Sequence, residues 1–412
     1  MKKLINSLLF LTLLFSCREK KEEKSIPYDK LEISGLSEAE LQDKILGMLV
    51  GSAIGDAMGA PTEMWSRESI KETYGFVTSI DTMIRETSPE GIWIADLPAG
   101  GTTDDTRWKV LTSKYLMTQP NESLSAPDFA SQILTRYNEY QEEFNAIKDT
   151  LPESFDVVNL KLGWLQEWAK VSEPFISNNL VGYSDALGKF YGGEMVCAGL
   201  LYAPALGIYF PGDPEKAYRE AFLLSIYDLG YAKDLTSLAA GMTAAGMKKG
   251  ATKDSLLASL QVDPENYFES RLVGRTANSI LTNALNISRE SHQLDSLTIG
   301  LDPDSPALQG AFFELDQRLQ DMPFHAGEIW LQSLTAMIYA DFNFMGSLIF
   351  LVNYGRDNDT TAAVVGGILG AFYGFEQLPK QEREQILKIN KEVLGIDLEQ
   401  IAKELTLHML TK

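Results

Sequence analysis

The chain is poor in the residues that usually mark a site. Its 412 residues include two cysteines, Cys17 and Cys197, and three histidines, His292, His325 and His408. Two cysteines cannot staple a chain of this length, so the fold must rest on its core. Cys197 sits in the apolar run Met195–Gly199 and reads as a small buried hydrophobe. Basic residues are also short: 36 Lys and Arg stand against 57 Asp and Glu, a net charge of −21. That balance excludes a nucleic-acid partner, which needs a surplus of cations to meet phosphate. Most of the acid reads as solubility, and part of it can hold cations. Alternating β patterns are scarce, the best being Val77–Met83. There is no solenoid repeat, no low-complexity segment and no internal linker, nor a phosphate-binding loop, dinucleotide fingerprint or nucleophile elbow in a convincing context.

What is present begins with MKKLINSLLFLTLLFSC. Lys2 and Lys3 precede an apolar run, Leu4–Phe15, that is too short to span a bilayer comfortably and has the shape of a signal peptide. Leu14-Phe15-Ser16-Cys17 resembles a bacterial lipobox, which implies removal of residues 1–16, lipid attachment at Cys17 and a place in the cell envelope, periplasmic or surface-exposed. Residues 17–37 are rich in Lys and Glu and read as a tether. Residues 38–412 read as one catalytic domain, with 45% hydrophobic residues over the whole chain to build its core.

Helical spacing dominates that domain. Ser37-Glu38-Ala39-Glu40 predicts a capped start for a helix through Asp43–Ala57. Helical periodicity also covers Thr106–Met117, Pro127–Glu143, Pro214–Ile226, Ser237–Lys248, Ser333–Ala340 and Thr360–Tyr373, with two more helices from Glu382 to Leu410. Two of these carry small residues every fourth position: Gly47, Gly51, Gly55 and Gly59, then Ala362, Gly366, Gly370 and Gly374. Residues four apart share a helix face. Each helical glycine costs about 1 kcal/mol relative to alanine, so the two stripes predict close backbone packing in compensation.

Three stretches could carry chemistry. Glu63 follows the first stripe, just past Pro61. Gly100-Gly101-Thr102-Thr103-Asp104-Asp105-Thr106 precedes a helix, and Asp357-Asn358-Asp359-Thr360-Thr361 precedes the second stripe. Taken singly, each acidic stretch reads as helix capping. Capping does not require adjacent carboxylates flanked by hydroxyls, and like charges so placed repel. An all-oxygen set suits a hard cation, Mg²⁺ or Mn²⁺, and not zinc.

The pieces GDAMGAPTE, TTDDT and GRDNDTTAAVVGGILGAFYG, in this order between about Leu41 and Pro379, resemble the ADP-ribosylglycohydrolase family. The resemblance implies an all-α orthogonal helical bundle with two Mg²⁺ ions in a cleft. Their ligands would be Thr103, Asp104, Asp105, Asp357, Asp359 and Thr360. Glu63 and Asp104 would serve catalysis, and Asp56, Tyr191, Gly192, Gly193, Glu194, Asp228 and Arg356 would face the substrate. Three departures lie on the substrate side. The family's Met-Arg and Thr-His elements are replaced around Met195 and Tyr227-Asp228, and Gly355-Arg356 stands where paired glycines are usual. The implied reaction is hydrolysis of an N- or O-glycosidic bond of an ADP-ribosyl or related ribosyl conjugate, free or protein-linked. The alternatives are a metal-assisted glycosidase or nucleoside hydrolase acting on another glycoside, and a catalytically silent binding protein of the same fold.

Overall fold

A computed structural model describes residues 35–120, 123–148, 151–269, 272–295 and 301–411. The signal-like segment, Cys17 and most of the 17–37 tether lie outside the described residues. Ser37 starts the first helix, Glu38–Gly59, through a capping box: its hydroxyl accepts from the Glu40 N–H, and the Glu40 carboxylate accepts from the Ser37 N–H at 2.8 Å. From Ile45 to Gly59 every residue of this helix is buried. A helix apolar on all sides belongs at the centre of a core, and that is where it lies.

The two small-residue stripes pack against each other. A methyl group added at Gly47 would strike the Gly370 carbonyl oxygen, and one at Gly51 the Gly366 carbonyl. At Gly55 it would strike the Ala362 carbonyl, and at Gly59 the backbone of Asp359. The glycines are therefore required by backbone contact between Glu38–Gly59 and Asn358–Tyr373, which offsets their helix-propensity cost. Lys44 locks the far end of this pair. Its ammonium donates to the carbonyls of Gly246, Ala371 and Phe372 at 2.8–2.9 Å, at the C-termini of two helices where a cation is favoured.

The remaining helices wrap this pair, and the described residues contain seventeen α-helices, five short 3₁₀ turns and no strand. The sequence-based helices all appear, some with shifted ends: Thr106–Met117 becomes Asp104–Leu116, and the helix expected from Ser333 begins at Ala326 and ends at Tyr339. The β expectation over Val77–Met83 fails. Only Met83 pairs, in an isolated bridge to Leu97, because this segment runs over the surface without a neighbouring strand. Helices at Pro152–Ile176, Thr276–His292 and Pro306–Asp316 complete the bundle. From Pro152–Ile176, Trp168 stacks within 4.1 Å of Trp108 and 4.7 Å of Tyr227, forming an aromatic wall beside the acidic stretches.

Candidate functional site

The end of the glycine contact delivers the site. Because Gly59 has no side chain, the Asp357–Thr360 segment rests against the end of the first helix, and Glu63 follows the short 3₁₀ turn Ala60–Thr62 that comes directly after it. A short backbone clasp holds the two segments together. Met64 N–H donates to the Arg356 carbonyl at 2.7 Å, and Arg356 N–H donates to the Trp65 carbonyl at 3.0 Å. Asn358 adds side-chain bonds from its amide to the Thr62 hydroxyl at 2.8 Å and the Val352 carbonyl at 3.1 Å.

Within this frame, carboxylate oxygens of Glu63, Asp357 and Asp359 lie within 4.8 Å of one another. They open into a small cavity of ≈ 80 Å³ that Asp104 and Thr360 also line. Its other walls include Met64, Glu90, Trp168, Tyr191, Cys197 and Phe324. Asp357 is the N-cap residue of its helix, yet its side chain makes no capping hydrogen bond. Its carboxylate is left for the cluster, which separates ligation from capping at this position.

The electrostatics are unbalanced. Burial pushes the carboxyls of Asp357 and Asp359 well above the ordinary range, and the neighbouring charges of Glu63 and Asp105 push further. Asp104 is raised in the same way, by burial first, with the Arg107 guanidinium acting in the opposite sense. Among the described residues the cation bonded to the three-carboxylate group is Arg85, whose Nη1 lies 2.5 Å from Glu63 Oε2 and 2.7 Å from the Ala60 carbonyl. A cluster of largely buried, mutually repelling oxygens fits a hard divalent cation; the lining holds no histidine, and burial pushes the Cys197 thiol up, which keeps it from acting as a soft thiolate ligand.

The residues expected at the metal divide into two groups. Asp104, Asp357, Asp359 and Thr360 reach the cavity with Glu63. Thr103 and Asp105 are buried beside it. Thr103 caps the Asp104–Leu116 helix, its hydroxyl accepting from the Asp105 N–H at 3.3 Å. Asp105 accepts from Lys109 Nζ at 2.8 Å and from the Thr360 hydroxyl at 2.9 Å.

Of the residues expected on the substrate side, Tyr191 lines the cavity, held at φ 46° with its hydroxyl bonded to Glu90. Gly192, Gly193 and Glu194 are exposed and lie outside the lining. Asp56, Asp228 and Arg356 require correction. Asp56 is wholly buried and accepts from the N–H groups of Thr103 and Thr106 and the Thr106 hydroxyl, at 2.7–3.1 Å. It satisfies the start of the neighbouring helix from across the core, and burial raises its carboxyl to about 6. Asp228 turns inward to the Gly199 N–H at 2.8 Å and the Thr236 hydroxyl at 2.7 Å.

Arg356 pairs with buried Glu328 at 2.8 and 3.0 Å and donates to the Gln320 carbonyl. Its backbone is left-handed at φ 65°, as is Gly355 at φ 89°, a conformation that favours glycine. The ion pair gives this arginine an anchor at a position where glycine would be unstrained.

Sequence reasoning missed Arg85, Glu90, Trp168 and Phe324. None carries a local signal, because each reaches the site from a separate segment. Arg107 helps to set the Glu90 segment, donating to the carbonyls of Pro89, Glu90 and Gly91 at 3.0–3.1 Å while its guanidinium lies 4.2 Å over Trp93.

Comparison with known proteins agrees with this architecture. A solved structure, an ADP-ribosylglycohydrolase-related protein complex, is similar at 20% identity with a TM-score of 0.53, covering 90% of this chain and 99% of that one. At that identity the likeness shows the fold. A curated relative, the uncharacterized protein YegU of Escherichia coli (strain K12), is 49% identical over 35 residues, which is 8% of this chain and 10% of that protein's length. The ADP-ribosylglycohydrolase family model matches residues 37–412, so it takes in both faces of the acidic cavity and the paired glycine helices behind it. By that match the chain belongs to the ADP-ribosylglycohydrolase family.

Proposed function

We propose that this chain is a metal-dependent glycohydrolase that cleaves an N- or O-glycosidic bond of an ADP-ribosyl or related ribosyl conjugate. The observation that carries the reading is the meeting of Glu63, Asp357 and Asp359 oxygens within 4.8 Å in a buried cavity. Glu63, Asp104, Asp357, Asp359 and Thr360 would hold Mg²⁺ or Mn²⁺. When bound, such an ion supplies Lewis acidity and exchangeable coordination positions that suit the vicinal hydroxyls of a ribose. The protein groups do the rest. A glycosidic bond breaks through an oxocarbenium-like transition state, and the negative field of the carboxylates around the cavity stabilises that positive charge. Glu63, fixed by Arg85, orients the attacking water or the leaving group. Trp168, Tyr191 and Phe324 give the cavity aromatic walls against which an apolar sugar face or a base can rest and from which bulk water is displaced.

The inward turn of Asp228 and the Arg356–Glu328 pair favour a second reading, hydrolysis of a glycoside other than ADP-ribose at the same centre. The experiment that separates these readings is a hydrolysis panel of ADP-ribosyl proteins, ADP-ribose esters, nucleosides and simple glycosides, each run with and without a chelator. Chelator-sensitive release of ADP-ribose supports the first reading, and release confined to the other substrates supports the second. No turnover on any member favours a binding protein. Replacement of Glu63 by Gln should lower the rate by at least about 10²-fold, the scale of losing one preorganised group at a reacting centre. A parental rate removes its role. We further propose that the chain is lipid-anchored at Cys17, which mass spectrometry of the mature N-terminus tests directly.

A further inference from the structure

We infer that Lys109 is a built-in cation that takes the second metal position, so that the acidic cage binds one divalent ion per chain instead of two. This rests on the metal-centre reading above. The argument begins with Asp105, which the TTDDT resemblance makes a metal ligand. Both of its oxygens are already engaged by the protein. Oδ1 lies 2.8 Å from Lys109 Nζ, and Oδ2 accepts from the Thr360 hydroxyl at 2.9 Å. Asp105 is absent from the converging group of Glu63, Asp357 and Asp359, and it does not line the cavity.

The lysine is itself unusual. Its side chain and that of Asp105 are each 1% exposed, and lysine is almost never fully buried without a specific partner. One turn along the Asp104–Leu116 helix, facing the core between Trp108 and Val110, the position would ordinarily be apolar. Apart from Asp105, Lys109 acts electrostatically on Asp56, the carboxylate from the Glu38–Gly59 helix that bonds the start of the Asp104–Leu116 helix. The cage thus divides into a half where the Lys109 ammonium meets Asp105 and a half where three carboxylates, Glu63, Asp357 and Asp359, share a single bonded guanidinium, that of Arg85 on Glu63. A divalent ion on Asp105 would share a carboxylate with the ammonium, and like charges at that separation repel strongly in a buried setting.

The test is titration of the chelator-stripped full chain with Mn²⁺, followed by calorimetry for stoichiometry and electron paramagnetic resonance for spacing. One Mn²⁺ per chain with the spectrum of an isolated ion is expected. In Lys109→Met the stoichiometry should rise to two, with an exchange-coupled spectrum, because Asp105 is released to ligate. The double variant Lys109→Met, Asp105→Asn removes the buried pair as a unit, so it preserves folding even if the single variant fails, and it should bind one ion as the parent does. Two ions in the parent, one ion in a folded Lys109→Met protein, or loss of binding in the double variant would each overturn the inference. No Mn²⁺ binding by the parent would instead defeat the metal-centre reading itself.

Discussion

Asp234 and Asp357 are both buried, at 0% and 3% exposure, but only one of them is matched by the protein around it. Asp234 receives Arg275 through two bonds, at 2.6 and 2.8 Å, and the Tyr218 hydroxyl at 2.6 Å. The guanidinium is itself 1% exposed and lies 5.1 Å from the Phe268 ring centre. This is a structural unit linking two helices to the segment that holds Arg275, with the charge of Asp234 matched and its oxygens bonded by protein donors, while Arg275 Nη1 stays buried without a hydrogen-bond partner. Among the described residues Asp357 has no cation bonded to it. Burial raises its carboxyl first, the charges of Glu63 and Asp105 raise it further, and hydrogen bonds with Asp359 and Thr360 act in the opposite sense. One buried carboxylate is bonded through both oxygens to a guanidinium, whereas three converging carboxylates elsewhere share one bonded guanidinium, Arg85 on Glu63, which leaves the second place room for further positive charge.

The contrast can be tested in both directions. The largest effect belongs to the Asp234 unit: Asp234→Ala leaves Arg275 buried without its partner and should cost about 3–5 kcal/mol in chemical denaturation, with or without Mg²⁺. An equal response of Asp234→Ala and parent to denaturant would erase the distinction.

Next is pH. Asp56 holds its proton to about 6 in the folded chain, well above the ordinary aspartate value of about 3.9, and Asp104, Asp357 and Asp359 are raised in the same direction. A folded state that binds protons more tightly than the unfolded state is favoured in acid, and that stability is lost as pH rises through the folded value. The chelated protein should therefore lose stability between about pH 4 and pH 7, by up to ~3 kcal/mol for a shift of this size. Added Mg²⁺ should protect increasingly toward pH 7. A melting temperature that rises over this range in chelator would contradict the assignment.

A smaller effect follows at the joint between the glycine stripes and the site. Gly59→Ala presses on the Asp359 backbone and should cost about 1–3 kcal/mol by overpacking. Because it displaces a ligand-bearing segment, it should also weaken Mn²⁺ binding while leaving the Asp234 unit intact, which calorimetry and a denaturant midpoint can separate. The smallest change is the most diagnostic. Asp357→Asn removes one repelling carboxylate and should raise the denaturant midpoint of the chelated protein slightly, while abolishing the thermal shift produced by Mg²⁺. Destabilisation in chelator would place Asp357 in the same class as Asp234.

The glycine stripes, Glu63, Asp104 and the Asp357–Thr360 run were legible in the linear chain because their signals are local: four-residue spacing, a proline-terminated helix, and acids with hydroxyls ahead of an apolar run. Local pattern misled at Asp56, where the same residue type near a motif serves a helix end 47 residues away. It misled again over Val77–Met83, where alternation met no partner strand. Arg85, Glu90 and Lys109 gave no warning, because nothing in their neighbouring residues distinguishes a charged group at a site from one on a surface.

What the sequence determined alone was the helical architecture and a supply of hard oxygen ligands without histidine or paired cysteine, since both follow from side-chain periodicity and donor chemistry. Tertiary structure decided which carboxylates are left uncompensated. Charge balance inside a protein is a sum over neighbours in space, and the neighbours that set it here, Arg85 to Glu63, Lys109 to Asp105 and Arg275 to Asp234, are brought together by packing around the contact of two glycine-lined helices.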